Sequence, residues 1–197
     1  MVSQTVRNVP NIISLSRIPV LFAIVGLLYL PIRGAATIAC VLFILGAITD
    51  WLDGYLARKY NIVSNFGKMI DALTDKIFVI GLFVALLGLG FFPEGSVFLI
   101  LLIIVREFII TGLRLIAASK GLVLAAEKRG KIKTLTQILT IGVYLLLNLL
   151  SKDFSLGIIP AIQIIGIVLL FLATYLTVYS GISYLIKYWD IFTEEEY

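Results

Sequence analysis

Apolar positions gather in six long runs, at about 12–30, 35–57, 66–90, 96–118, 132–150 and 157–187, separated by short stretches bearing polar residues, glycine or proline. Each run can cross a hydrocarbon core about 30 Å thick, which takes roughly 20 helical residues. Inside lipid every backbone N–H and C=O must find a partner within the segment, so isolated runs of this length are helices. The breaks fall at Pro31 and Gly34, Lys59 to Asn65, Gly90 to Gly95, Lys120 to Lys133, and Ser151 to Gly157, all rich in residues that end helices or prefer water. The pattern predicts an all-α polytopic membrane protein, a six-transmembrane-helix bundle forming a single membrane domain over 1–197. Pro10 in the first turn, with Asn8 or Asn11 as cap, is expected to start the first span, and residues 2–9 suffice only for a short N-terminal interfacial helix ahead of it.

Composition sharpens this reading. Sixty per cent of the residues are hydrophobic and 14% charged, with a mean hydropathy of +1.08, values that exclude an ordinary soluble domain. The first apolar run begins after Pro10 and precedes no convincing small-residue cleavage site, so no cleavable signal peptide is expected. One cysteine, Cys40, excludes an intrachain disulfide. No internal repeat or low-complexity segment is evident, and the acidic end Thr193 to Tyr197 reads as a solvated stub.

Charge sets the expected orientation. Six spans put both termini on one side, and Arg7, Arg17, Arg58, Lys59, Lys68, Lys120, Lys128, Arg129, Lys131, Lys133 and Lys187 fall there, whereas the other side holds Arg33 and Lys152. By the positive-inside rule that side is the cytoplasm, which predicts a multi-pass protein of the cytoplasmic membrane. This bias and attraction to anionic lipid account for the net charge of +4, so no nucleic-acid partner is predicted.

Four aspartates interrupt the apolar pattern. Asp50 and Asp53 lie three residues apart near the end of the second run, and Asp71 and Asp75 four apart near the start of the third. Such spacings place each pair on one helical face. A short connection makes the helices antiparallel, so Asp50 faces Asp75 and Asp53 faces Asp71, about 13 to 19 Å from the loop midpoint at 1.5 Å per residue. An ionised aspartate at a helix centre opposes insertion by roughly 2.5 to 3.5 kcal/mol, and four together would repel and raise one another's pKa unless cations sat among them. With no histidine in the chain, the oxygen donors suit hard ions, Mg²⁺ or Mn²⁺ before Ca²⁺. Four carboxylates suggest two ions sharing bridging ligands, an arrangement suited to displacement at phosphorus. The solvated helix end and the lone proton relay explain a single acid better than four in register.

The frame Asp50-x2-Asp53-Gly54-x2-Ala57-Arg58-x8-Gly67-x3-Asp71-x3-Asp75 resembles, at every position, the signature of the CDP-alcohol phosphotransferases, integral membrane enzymes of phospholipid synthesis. The resemblance implies that Asp50, Asp53 and Asp71 hold one divalent cation and Asp50, Asp71 and Asp75 the second, on the pyrophosphate of a CDP-linked lipid. It implies that an alcohol displaces CMP, with Asp75 as general base, and that the protein is a homodimer. Gly54 and Gly67 leave room for close backbone and ligand approach, or for tight helix packing, and Ala57 keeps that face shallow. Arg58 is placed to meet the cytidylyl phosphate or to obey the positive-inside rule, and Ser64 is a weaker contact for cytidine. The stretch Asn8-Val-Pro10-Asn11, with Ser14 and Arg17 downstream, resembles the family's N-terminal element beside the nucleotide, which adds Asn8 and Asn11 to the CDP-lipid-binding set.

The acceptor must be read elsewhere. Arg106, mid-span in the fourth run, should face the bundle interior and pair with a carboxylate; Glu107, about 100° around the helix, is expected to be a poor partner. Arg114, two turns nearer the cytoplasm, is expected to converge with Lys131 and Lys133 on an anion. With Thr134 and Gln137 these residues resemble the glycerol-3-phosphate branch of the family, which implies CDP-diacylglycerol and glycerol 3-phosphate as substrates and phosphatidylglycerophosphate as product. Inositol phosphate or phosphatidylglycerol as acceptor remains open. From another class, a cation- or proton-coupled transporter would also use membrane acids, but such proteins usually carry inverted repeats and interrupted helices, and neither is evident.

Overall fold

The structure is a computed structural model that describes residues 4–59, 65–122, 124, 128–156 and 160–189, with the side chains of 4–11, 13, 50–59, 65–69, 71, 119, 128 and 129 left aside. Among the described residues it is all helix: α1 (Gln4–Tyr29), α2 (Ala35–Lys59), α3 (Asn65–Gly88), α4 (Ser96–Ser119), α5 (Lys128–Lys152) and α6 (Pro160–Lys187). Among these, the stretches Ser96–Ala118, Gly130–Lys152 and Pro160–Lys187 are long and apolar enough to cross a membrane, and α1 and α2 contain the shorter apolar stretches Ser14–Tyr29 and Ala35–Thr49.

The helix bounds follow the predicted breaks with two differences. α1 is already helical at Gln4, so Asn8, Pro10 and Asn11 lie inside it rather than at its start, and no separate interfacial helix is set off before Pro10. Pro10 removes one main-chain donor and Pro19 another, losses that membrane helices tolerate when neighbouring groups satisfy the freed carbonyls. α5 begins at Lys128, so the basic stretch Lys128 to Lys133 is the first turns of a helix and not a connection. Lysine and arginine are good helix formers, and charge density alone misreads them as loop. α6 opens on Pro160, where a missing N–H costs no internal bond.

The chain divides into two compact units. The first contains α1, α2, α3, α5 from Ile141 onward and the opening of α6; the second contains α4, α5 up to Thr140 and α6 from Ile164. In the first, α1 packs on both α2 and α3. Its buried faces repeat at helical spacing: Leu21, Ile24 and Leu28 on α1, Ala36, Ala39 and Phe43 on α2, Phe78, Leu82 and Leu86 on α3, and Ile141, Tyr144 and Leu145 on α5. Phe43 stacks on Phe78 with ring centroids 6.2 Å apart, and a Cβ added at Gly46 would lie 2.9 Å from Phe78 Cζ. α2 therefore offers a small residue where the Phe78 ring of α3 crosses it.

The connection after α5 closes two helix ends of this unit. Lys152 Nζ donates to the Leu28 carbonyl at 2.9 Å, near the end of α1. The Asp153 carboxylate accepts from Gly34 N at 2.8 Å, Thr37 N at 2.7 Å and Thr37 Oγ1 at 2.6 Å, where α2 begins. A cation at a helix C-terminus and an anion at an N-terminus each complement the helix dipole, and Asp153 performs from a distant loop what a local N-cap residue usually does.

The second unit is built differently. Its buried stripe on α4 runs Ile100, Ile103, Glu107, Ile110, Leu113 and Ala117, on α5 Lys133, Thr136, Gln137 and Thr140, and on α6 Leu170, Ala173, Thr174, Thr177, Ser180 and Tyr184. Ile110, Leu113 and Tyr184 form an apolar cluster flanked by Leu124, Leu185 and Tyr188. Elsewhere in the stripe, the four α5 positions and Thr174, Thr177 and Ser180 of α6 carry polar groups in place of the usual leucines.

Candidate functional site

The aspartate frame is carried by the first unit. Asp50 and Asp53 lie on α2, Asp71 and Asp75 on α3, with Gly54, Ala57 and Arg58 further along α2 and Gly67 in the first turn of α3. One turn from the Gly46–Phe78 contact towards the connection, α2 reaches Asp50 and α3 reaches Asp75. The side chains of Asn8, Asn11, Asp50, Asp53, Ala57, Arg58 and Asp71, and Ser64 altogether, lie outside the described residues, as do the surroundings of Gly54 and Gly67. Among the described residues no three acidic, histidine or cysteine side chains gather as a metal-binding group.

Asp75 is described, and its partner was not legible in the sequence. Arg17 Nη1, from α1, donates to Asp75 Oδ1. The Arg17 side chain is 2% exposed and that of Asp75 39%, so a buried guanidinium grips the inner side of a carboxylate whose outer side is open. The pair places a guanidinium from α1 against the α3 end of the frame. The donor set is consistent with hard divalent ions: oxygen ligands on α2 and α3, with the chain's one thiol, Cys40, buried in α2 more than two turns from Asp50.

The proposed acceptor residues belong to the second unit. Arg106 and Glu107 do pair, contrary to expectation: Arg106 Nη1 donates to Glu107 Oε1 at 3.4 Å. The long arginine side chain spans the angle that separates the two Cα positions. The closer partner of the same oxygen is Lys133 Nζ, from α5. Arg106 Nη2 also donates to Ser180 Oγ on α6 at 3.1 Å, and Ser180 Oγ donates to the Thr177 carbonyl at 3.0 Å.

The other members are distributed around this cluster. Arg114 is exposed; its Nε donates to Tyr184 Oη at 3.4 Å, with the guanidinium carbon 5.5 Å from the ring centroid, a cation–π geometry. Lys131 is exposed. Thr134 Oγ1 donates back to the Gly130 carbonyl at 3.2 Å. Gln137 is buried, and its Nε2 donates to Thr177 Oγ1 at 2.9 Å. The structure thus joins Arg106, Lys133 and Gln137 to a polar seam and leaves Arg114 and Lys131 exposed. Sequence reasoning singled out Glu107 but not its bond to Lys133, and missed Thr177 and Ser180 as members. The alternation of Thr174, Thr177 and Ser180 at helical spacing within an apolar segment was the available signal.

Comparison with known proteins agrees with the frame. The profile of the CDP-alcohol phosphatidyltransferase family matches residues 7–189. The chain is 38% identical over 195 residues to a CDP-diacylglycerol–glycerol-3-phosphate 3-phosphatidyltransferase of Bacillus subtilis, covering 93% of this chain and 96% of that protein. It is 36% identical over 178 residues to the protein of the same name from Rickettsia typhi, with 90% and 95% covered, and 34% identical over 190 residues to that from Wigglesworthia glossinidia brevipalpis, with 94% and 97% covered. With its eight-position frame intact on α2 and α3 and the family profile running through both compact units, the chain belongs to the CDP-alcohol phosphatidyltransferase family.

Proposed function

We propose that the protein transfers the phosphatidyl group of CDP-diacylglycerol to sn-glycerol 3-phosphate, giving phosphatidylglycerophosphate and CMP. The observation that carries this reading is the near full-length similarity to relatives whose names specify that reaction. The polar seam of α4, α5 and α6 supports it, because an arginine and a lysine inside apolar segments suit an acceptor that brings its own phosphate. The family match over 7–189 supports one functional domain. Six helices of 24 to 28 residues and the basic residues collected on the side of the termini support six spans in the cytoplasmic membrane, with the frame facing the cytoplasm. A homodimer is part of the proposal on family resemblance alone.

In the proposed step the acceptor hydroxyl oxygen forms a bond to the phosphorus that bears diacylglycerol. The bond from that phosphorus to the bridging oxygen breaks, and CMP leaves with the oxygen. Asp75 takes the hydroxyl proton, a task that needs an ionised carboxylate held within reach. Arg17, pairing with one Asp75 oxygen from the buried side, would hold that carboxylate in place. Asp50, Asp53, Asp71 and Asp75 would hold two divalent cations, Mg²⁺ or Mn²⁺, whose chemistry when bound is charge stabilisation at the pyrophosphate. Asn8, Asn11, Gly54, Ala57, Arg58, Ser64 and Gly67 would receive the CDP moiety. Arg106, Arg114, Lys131, Lys133, Thr134 and Gln137 would orient the acceptor phosphate, so that binding energy fixes the hydroxyl for attack.

The test is CMP release by purified protein in detergent with CDP-diacylglycerol, Mg²⁺ and a panel of alcohols. Glycerol 3-phosphate is expected to support turnover, chelation to stop it, and Mg²⁺ or Mn²⁺ to restore it. Turnover with inositol phosphate but not glycerol 3-phosphate would move the protein to a sibling reaction, and ion transport without CMP release would remove it from transferases.

A further inference from the structure

We propose that Glu107 is a positioning residue for the acceptor: together with the Ser180–Gly181 step of α6 it holds Arg106 and Lys133 ready for a phosphomonoester. The proposal rests on the acceptor reading above. Glu107 occupies the buried stripe of α4 between Ile103 and Ile110, where apolar side chains otherwise stand. A carboxylate there is expensive unless neutralised. One of its oxygens, Oε1, receives both Lys133 Nζ and Arg106 Nη1. Glu107 and Lys133 are each 6% exposed, so neither charge is shared with bulk water.

Two features indicate that this cluster is built around something further. First, two cations, one from α4 and one from α5, converge on a single carboxylate oxygen inside apolar helices, where both could also meet an incoming anion. Second, the guanidinium is held in place while one of its donors, the buried Nε, has no hydrogen-bond acceptor among the described residues. Its Nη2 is tied to Ser180, and Gly181 leaves the space its stem fills: a Cβ at Gly181 would stand 2.6 Å from Arg106 Cγ and 3.1 Å from Nε. Cγ is the middle of the side chain, so it cannot swing aside without carrying the guanidinium along. Removing the Glu107 charge would leave two neighbouring cations repelling each other, and Lys133, on a flexible stem, would move towards water.

Steady-state kinetics with both substrates varied separately, in the full-length protein, test this. Glu107→Gln, which keeps the volume, and Gly181→Ala, which changes no charge, should each raise KM for glycerol 3-phosphate roughly 10-fold or more while changing KM for CDP-diacylglycerol less than about twofold. Glu107→Asp should fall between Glu107→Gln and the parent. In thermal melting, glycerol 3-phosphate should stabilise the parent at concentrations that leave Glu107→Gln unshifted. An unchanged or lowered acceptor KM in Glu107→Gln and Gly181→Ala, or an equal rise for both substrates, overturns the proposal. Should Glu107→Gln fail to fold, Gly181→Ala and Ser180→Ala decide the matter. Arg106→Ala and Lys133→Ala, measured alongside, separate the two readings. If they leave the acceptor KM unchanged, the acceptor assignment itself falls; if they raise it while the Glu107 and Gly181 variants do not, only the positioning role falls.

Discussion

Lys152 and Asp153 are charged and partnered, and so are Arg106, Glu107 and Lys133, but the two groups close on different things. Lys152 and Asp153 bond to main-chain groups at the ends of α1 and α2. Their partners are orphan carbonyls and amides that every helix exposes, and Asp153 uses both of its carboxylate oxygens on them. Arg106, Glu107 and Lys133 bond to one another and to Ser180, inside the helical segments, and Arg106 Nε has no acceptor among the described residues. Charges that finish a helix contribute to stability; in the proposed function, charges that meet between helices would receive a ligand. Arg17 and Asp75 likewise pair between helices, with the Asp75 side chain 39% exposed.

The largest effect should come from Asp75. Asp75→Asn keeps an oxygen for the Arg17 guanidinium and removes the base, so CMP release should fall roughly 100-fold to 10,000-fold while circular dichroism and CDP-diacylglycerol binding change little. Near-normal turnover would take Asp75 out of the proton transfer and place it with the structural charges. Next in size are the cations nearer the surface. Arg114→Ala and Lys131→Ala should each lower kcat/KM for glycerol 3-phosphate roughly 10-fold to 150-fold, the loss of one charge-assisted hydrogen bond. Unphosphorylated glycerol should be a poor acceptor whose rate ignores both changes. Equal losses for the two substrates would reclassify these residues as membrane-surface charge.

The smallest effect, and the sharpest contrast, is expected at Asp153. The Thr37 hydroxyl, aided by the Gly34 and Thr37 amides and Arg33 and opposed by burial, holds the Asp153 carboxyl below the ordinary carboxylate range. A group whose native pKa is depressed contributes fully above its unfolded pKa and loses that contribution as pH falls through the native value. Asp153→Asn should therefore lower the melting temperature by a few degrees at neutral pH, flatten its decline in acid, and leave CMP release unchanged. A melting curve indifferent to the substitution would deny Asp153 its capping role, and a large loss of turnover would break the division between the two kinds of charge.

Much of the fold was legible because membrane helices announce themselves. The breaks at Pro31, Gly90 and Ser151 lie where helices end, since apolar runs in lipid leave the backbone no alternative to internal pairing. The bounds that were misplaced, at Pro10 and at Lys128, lie in polar stretches, where hydropathy carries no signal and helix propensity decides. The aspartate frame could be read because its spacing is local to two helices joined by a short connection.

The sequence by itself determined the helical architecture, the family and the order of the four aspartates, all of which depend on spacing within or between adjacent elements. Only the tertiary structure decided that Asp75 is gripped by Arg17 from α1, that Glu107 binds Lys133 from α5, and that α6 leaves a gap at Gly181 for Arg106. Each of these joins residues separated by 26 or more positions. The partner of a buried charge is whichever group the packing of other helices brings within about 3 Å. Spacing along one helix can require that such a partner exist, but the packing chooses it.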